Sequence, residues 1–512
     1  MKENGKVYLV GAGPGEPGLI TVRGKRLLER ADVVIYDYLA SENLLQYTPE
    51  DAERIYVGKK GGVKHTCTQK EINRLLVEHA LAGKMVVRLK GGDPFIFGRG
   101  GEEVEELVAA EIPFEVIPGV TSASAAATYA GIPITHRDYT ASVAFVTGHE
   151  DPTKEASNIR WEKLATGVGT IVIYMGIKNL AIIAEKLIQH GRDAKTPVAV
   201  VRWASTPQQQ TVVGTLDTIV DLVQQSGIRP PSLIIVGEVV NLRKNIDWYE
   251  QQPLFGKRII VTRTRSQASN LVEGLEDLGA TCLEYATIHV GPVDSYEAFD
   301  EELERLKEYH WILFASLNAV KYFFEHLYAK GMDTRNLQGI NIAAVGTSTA
   351  DFLLQYGVHA DLIPPTFTGE GLALSLLDQG VEGRNILIPR ALKAKELLPE
   401  TLRGAGAQVN VLPVYQTIPA DTDRERLLAE LNSNKVDMIT FTSSSTVTNF
   451  MHLLGISDCK ELEKLLVGVK IAAIGPITAK DVTNCGLKVD VQPREYTIPA
   501  MIEAITDYYC KP

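Results

Sequence analysis

The chain has 512 residues, 45% apolar and 22% charged, the composition of a soluble globular protein of several domains. Its 52 Lys and Arg against 63 Asp and Glu leave a net charge of −11, which disfavours a broad nucleic-acid surface while leaving room for a local basic pocket. No apolar run approaches the ~20 residues of a membrane span, the first apolar run stops too soon for a signal peptide, and five cysteines without a CxxC pair point away from a disulfide framework or a Cys-rich metal site.

Short β-branched runs that end in Gly, Ser or Thr recur along nearly the whole length. In order they are KVYLVGAG, ADVVIYD, MVVRLKGG, SVAFVTGH, GTIVIYMG, SLIIVGEVV, RIIVTRTR, WILFAS, IAAVGTS, MITFTSS and IAAIGPI. Amphipathic segments such as TQKEINRLLVEHALAG follow them. This is the pattern of an α/β protein, with buried parallel strands, helices on the sheet faces and sites at the carboxyl ends of the strands. A polar stretch, RKNIDWYEQQPLFGKR, carries Pro253 and Gly256 and is followed at once by a new strand. It divides the chain into residues 1–245, a linker at 246–256 and residues 257–512.

The second half repeats itself at a period of about 130 residues, a duplication and not a solenoid. FASLNAVKYFFEHL (314–327) parallels FTSSSTVTNFMHLL (441–454), and AAVGTSTADFLLQYGVHADLIP (343–364) parallels AAIGPITAKDVTNCGLKVDVQP (472–493). Two lobes of one α/β type about a cleft are expected.

In the first half, VGAGPGEPG (10–18) follows a strand. Glu16 stands where a dinucleotide loop needs its third glycine, and Pro14 removes an N–H that a phosphate cradle would use. Together with LKGGDPFIFGRGGEE (89–103), PGVTSASAAATYAGIPITHR (118–137) and VTGHE (146–150), this series resembles uroporphyrinogen-III C-methyltransferase, of the tetrapyrrole methylase family, across residues 5–242. The resemblance implies two α/β lobes with S-adenosylmethionine between them. It implies cofactor contacts at Pro14, Gly91, Gly92, Asp93, Ile96, Thr121, Ser122, Met175 and Ala204. Glycines at 91 and 92 suit close backbone approach, and Asp93 suits ribose hydroxyls. Ser232 stands where the family usually has Ala. The family's acid/base pair falls on Asp37 and Lys59, and Arg99 is an alternative base or a substrate anchor. Binding a substrate with eight carboxylates calls for local positive charge, for which Lys59, Lys60, Lys64, Arg88, Lys90, Arg99, His136 and Arg137 are candidates.

The second-half motifs VTRTRSQAS, FASLNAV, AAVGTSTA, LPVYQT, TFTSSSTV and AAIGPITA place hydroxyls and helix starts at strand ends, an arrangement that binds anions. They resemble uroporphyrinogen-III synthase across about residues 256–508. That resemblance implies a two-stranded connector with crossings near 288–294 and 411–419, so that one lobe spans about 257–290 plus 416–512 and the other 291–415. It implies Tyr415 as proton donor. The substrate contacts it implies are Thr262, Arg263, Ser316, Asn318, Thr347, Thr349, Arg390, Thr442, Ser443, Ser444 and Thr478. It implies no metal.

The two resemblances join, because the product of the second half is the substrate of the first. The expectation is a cytoplasmic bifunctional enzyme that makes uroporphyrinogen III from hydroxymethylbilane and methylates it at C2 and C7 to precorrin-2. Neither nucleic acid nor membrane is an expected partner, and the family suggests a homodimer through the methyltransferase half. The competing expectation is a methylase of another corrinoid or of RNA, fused to a non-catalytic anion sensor.

Overall fold

A computed structural model describes residues 5–58, 67–149, 159–262, 265–285, 288–394, 396–419 and 424–510. The chain forms two compact units. One is built from residues up to Lys257 with the stretch Glu276–Thr281, the other from Arg258–Leu275 and Cys282 onward. No described helix is long and apolar enough to cross a membrane.

The first lobe of the first unit is a parallel sheet in the order Glu53–Tyr56, Val33–Tyr36, Val86–Lys90, Val7–Gly11, Phe114–Ile117. Its inner strands are largely apolar on both faces because helices cover both, with Arg88 and Lys90 the exceptions. Val7, Leu9, Val33, Ile35 and Val86 pack on one side with Leu76 and Leu107. Val10, Val34, Val87 and Leu89 pack on the other with Leu28.

The second lobe has the order Val143–Thr147, Thr170–Tyr174, Ser232–Val236, Pro197–Arg202, Gln210–Thr215. Here the expectation of parallel strands fails. Only the first pair is parallel, and Ser232–Val236 runs against both its neighbours. A strand buried on both faces carries the same apolar run in either direction, so its polarity is not encoded locally. The alanine-rich helix Ser122–Tyr129 packs Ala123, Ala126 and Ala127 against Val172, Ala199 and Ile235 of this sheet. Side chains this small let the first lobe approach the second closely.

The second unit also has two sheets. One runs Thr281–Glu284, Arg258–Val261, Met438–Phe441, Lys470–Ala473. The other runs Ile288–Gly291, Gln408–Pro419, Asn385–Ala391, Trp311–Phe314, Asn341–Ala344. The long strand Gln408–Pro419 pairs in parallel with Asn385–Ala391 over its first part, then antiparallel with Ile288–Gly291 over its last. Phe299, Phe314, Phe323 and Phe324 are fully buried in this lobe, each worth about 1.5–3 kcal/mol of transfer free energy.

Candidate active sites

In the first unit the loops after Gly11, Tyr36, Lys90 and Ile117 converge at the carboxyl edge of the parallel sheet. Gly13 and Gly92 exchange backbone hydrogen bonds, at 3.2 and 2.7 Å. A Cβ on Gly119 would lie 2.3 Å from the Gly92 carbonyl oxygen, and one on Gly91 would lie 2.5 Å from Leu39 Cβ. Gly92 adopts a φ of +67°, which glycine alone takes freely. Asp93 fastens the cradle, accepting the Phe95 N–H on one oxygen (2.8 Å) and the Gly119 N–H on the other (3.1 Å).

The two lobes meet over this edge. The Thr121 hydroxyl lies 2.6 Å from the Tyr174 hydroxyl, at the end of a second-lobe strand, and the Ala123 N–H donates to the same oxygen. Burial raises the Tyr174 pKa, with the bonds from Thr121, Ala123 and Ser122 opposing. Ser122 begins the alanine-rich helix, and Ile96 and Ala204 pack into the interlobe core.

Five non-glycine residues around the cleft hold positive φ: Phe97, Arg99, Met175, Trp203 and Ser205. Only Glu111 and Asn434 share that conformation elsewhere among the described residues. Such strain gathers at sites where function fixes the backbone. Pro14 lines a cavity of about 320 Å³ with Gly15, Tyr38, Ser41, Trp203 and Thr206. Met175, half exposed, lines a second cavity of about 680 Å³ with Phe95, Phe97, Arg99, Glu102 and His149. Arg99 is bonded bidentately to Glu102 at 2.9 and 2.5 Å, which raises the Arg99 pKa and lowers that of Glu102. Arg137 is exposed on the turn closed by His136 and Thr140 and lines neither cavity.

Asp37 sits at the end of Val33–Tyr36, with one oxygen on the Leu39 N–H (3.0 Å) and the other on Arg88 (2.8 Å). Here the structure corrects an expectation. Arg88 and Lys90 are only 3% and 4% exposed and are bound to Glu103, so neither is placed to anchor a substrate from solvent. Burial, then repulsion from Arg88, lowers the Lys90 pKa, and Glu103 opposes that shift. Lys59, Lys60 and Lys64 lie outside the described residues.

The loop at Ala204 and Ser205 is held from behind. Buried Gln209 accepts the Ser205 N–H (3.1 Å) and donates to the Tyr129 carbonyl and to Glu250. Glu250 also accepts from Thr211 and Arg243, Arg243 donates to the Ala130 carbonyl, and Trp248 donates to the Thr128 carbonyl.

In the second unit, Ser316 caps the helix Leu317–Ala329 by accepting the Ala319 N–H at 3.1 Å, and its oxygen lies 3.2 Å from the Tyr415 hydroxyl. The Tyr322 ring stacks on Tyr415 with centroids 5.8 Å apart. Asn318 lies in the first turn of that helix. Thr347 opens the helix Thr347–Leu354, with Thr349 buried behind it. Arg390, near the end of Asn385–Ala391, is paired with Glu396.

In the other lobe Ser443 forms a capping box with Thr446, and Ser444 begins the helix Ser444–Leu454. Thr478 is buried in the helix Pro476–Asn484. Thr262 donates to the Thr440 carbonyl at 2.8 Å. The buried Thr442 hydroxyl has no partner among the described residues. Arg263 lies outside them.

Sequence reasoning missed Glu103, Tyr174, Gln209 and Tyr322. It also missed Phe367 and Tyr496, exposed rings laid over Gly346 and Gly475, where a Cβ would come within 3.2 Å of each. For Glu103 a signal existed: it lies one turn before Leu107 on the buried face of Gly100–Ala109.

Comparison with known proteins divides the chain along the same line. Residues 6–220 match the family described as tetrapyrrole (corrin/porphyrin) methylases, and residues 269–503 match uroporphyrinogen-III synthase HemD. Over 505 residues the chain is 39% identical to the porphyrin biosynthesis protein HemD of Ruminiclostridium josui, covering 99% of this chain and 98% of that one. It is 55% identical over 237 residues to the uroporphyrinogen-III C-methyltransferase of Priestia megaterium, covering 46% of this chain and 99% of that one. It is also 55% identical over 238 residues to the S-adenosyl-L-methionine-dependent uroporphyrinogen III methyltransferase of Methanosarcina barkeri, covering 46% and 93%.

Proposed function

The chain belongs to the porphyrin-biosynthesis proteins that fuse an S-adenosylmethionine-dependent uroporphyrinogen-III methyltransferase to a uroporphyrinogen-III synthase, and on that premise we propose how its residues divide the work. The synthase unit closes hydroxymethylbilane with inversion of the last pyrrole and loss of water. The methyltransferase unit then methylates the ring at C2 and C7 to give precorrin-2.

The observation that carries the methyltransferase assignment is the glycine cradle, where a Cβ at 91 would strike Leu39 and one at 119 would strike the backbone of Gly92 and Gly11, so that only glycines let these loops close together at the strand ends. Gly91, Gly92 and Asp93 would hold the polar end of S-adenosylmethionine, with Pro14, Thr121 and Ser122 beside them. Ile96, Met175 and Ala204 supply apolar surface for its adenine. When bound, the cofactor supplies an electrophilic methyl group. The protein's own part is to hold the pyrrole carbon in line and exclude water. Asp37 takes the proton that must leave a neighbouring carbon, with Lys59 as its acid counterpart; Arg99, which its pairing with Glu102 keeps protonated, serves as a carboxylate anchor and not as a base.

In the synthase unit Tyr415 donates the proton that assists departure of hydroxide, with Ser316 within hydrogen-bond reach. The hydroxyls of Thr347, Thr349, Thr442, Ser443, Ser444 and Thr478 and the side chains of Asn318, Arg263 and Arg390 hold the bilane carboxylates, whereas Thr262, buried with its hydroxyl on the Thr440 carbonyl, supports the strand end behind them. Arg137 meets those of the macrocycle. Five free cysteines suit a reducing cytoplasm, where we place the protein. The family resemblance supports a homodimer through the methyltransferase unit, which sedimentation would test.

Incubating the purified chain with hydroxymethylbilane and S-adenosylmethionine tests both activities. The III isomer should form, followed by a mass gain of two methyl groups. Formation of the I isomer alone, at the rate seen without protein, would remove the synthase assignment.

A further inference from the structure

We propose that Arg88 is a positioning residue for methyl transfer, acting through Asp37, with Glu103 and Lys90 fixing it in place. The proposal rests on the reading of Asp37 as the base. Alternation along Val86–Lys90 turns residues 86, 88 and 90 to one face of the sheet, under the helix Gly100–Ala109. Val86 is apolar as a doubly covered strand requires, but the next two positions on that face are cations.

Both cations are engaged with acidic partners. Arg88 donates one terminal nitrogen to the carbonyls of Ile35 (3.3 Å) and Leu89 (2.9 Å), its Nε to Glu103 (3.3 Å), and its other terminal nitrogen to Asp37 (2.8 Å). Glu103, wholly buried, accepts on the same oxygen from Lys90 (2.6 Å) and Gln69 (3.1 Å). Its second oxygen has no partner among the described residues.

Burying such a cluster is a poor way to stabilise a fold, since apolar side chains of similar volume commonly do as well or better. What the cluster supplies is direction. The two carbonyls belong to the strands on which Asp37 and the glycine cradle stand, so the guanidinium plane is locked to both strand ends. Asp37 is then held by the Leu39 N–H on one oxygen and by Arg88 on the other. It is the one charged member of the group with appreciable exposure, its side chain 26% accessible against 3% for Arg88, 6% for Lys90 and 0% for Glu103. Any effect of Arg88 on the reacting atoms therefore passes through Asp37.

A double-mutant cycle on the full chain tests this, with methylation of uroporphyrinogen III as the assay. Arg88→Met should lower kcat about 100-fold, the scale of a small misplacement of a reacting group. KM for both substrates and the affinity for S-adenosylhomocysteine should stay within about threefold. Arg88→Lys, a point charge without the fork, should retain about a tenth of kcat. In the Asp37→Asn background, Arg88→Met should cost almost nothing more. Multiplicative losses in the double variant, a loss carried by KM, or an Arg88→Met enzyme with kcat within about threefold of the parent would each overturn the proposal. If Arg88→Met does not fold, Arg88→Lys carries the same cycle. Asp37→Asn with undiminished turnover would instead remove Asp37 as the base, a separate failure.

Discussion

Asp361 and Asp490 hold the same place in the two lobes of the synthase unit: each carboxylate accepts a backbone N–H from the strand behind it, Ile342 at 2.7 Å and Ile471 at 3.1 Å. The same offset relates the bridge Ala343–Leu362 to Ala472–Val491, and the ring of Phe367 over Gly346 to that of Tyr496 over Gly475. The duplication is thus kept at the level of single hydrogen bonds.

Replacing either aspartate by alanine should lower unfolding free energy by about 1–2 kcal/mol, the cost of a charge-assisted bond and its orphaned N–H. The loss should be larger at Asp490, whose side chain is 8% accessible and lies 3.7 Å from both Lys470 and Lys488. The two losses should add to within about 0.5 kcal/mol, since the sites share no partner. Urea titration of both singles and the double variant checks this.

Tyr415→Phe should slow ring closure about 100-fold, the low end of what a general acid contributes, and leave the fold intact. The stacking of Tyr322 on the ring survives the change, and only the hydroxyl beside Ser316 is lost. Isomer analysis of the product, with quenching at short times, measures it. An unaltered rate would make Tyr415 a packing residue.

Gly119→Ala should abolish cofactor binding and cost about 2–4 kcal/mol or more, because its Cβ would meet backbone at 2.3 Å from Gly92 and 2.8 Å from Gly11, not a movable side chain. Gly167→Ala, with nothing within 4 Å of the new Cβ, is the control and should bind normally. Calorimetry with S-adenosylhomocysteine separates the two.

Alkaline stability should depend on Tyr249. Burial raises its pKa in the folded chain, with Glu16 and neighbouring tyrosine charge adding to the shift. Below its ordinary value of 10 both states carry the proton and its contribution is complete. Above that the unfolded chain loses the proton first, so stability falls as pH rises, by up to one proton's slope. Tyr249→Phe should flatten the fall between about pH 10 and 11.5 by that amount, measured as the pH dependence of urea midpoints. An unchanged slope would show that Tyr249 ionises alike in both states.

The strand runs, the repeat and the loops after the strands were legible because each is local: a few β-branched residues, then a glycine or hydroxyl. Strand polarity in the Thr170–Tyr174 sheet was not, since direction depends on what pairs beside a strand. Nor was the burial of Arg88 and Lys90. VVRLK reads as a strand with a basic edge, and the partner that neutralises it, Glu103, comes a loop and a turn of helix later. Tyr174 was hidden for the same reason, because its bond to Thr121 exists only once two lobes are apposed.

The polar knot behind Ser205 bears on how the two enzymes can be separated. Glu250 lies well past the last strand of the methyltransferase sheets, yet it holds Gln209, which holds the Ser205 N–H, while Trp248 and Arg243 grip the end of the alanine-rich helix. A gene cut after codon 245 would encode every strand of that enzyme and still omit Trp248 and Glu250, the outer part of the brace behind the loop at Ala204 and Ser205. The excised protein keeps its brace only if it carries the chain through Glu250.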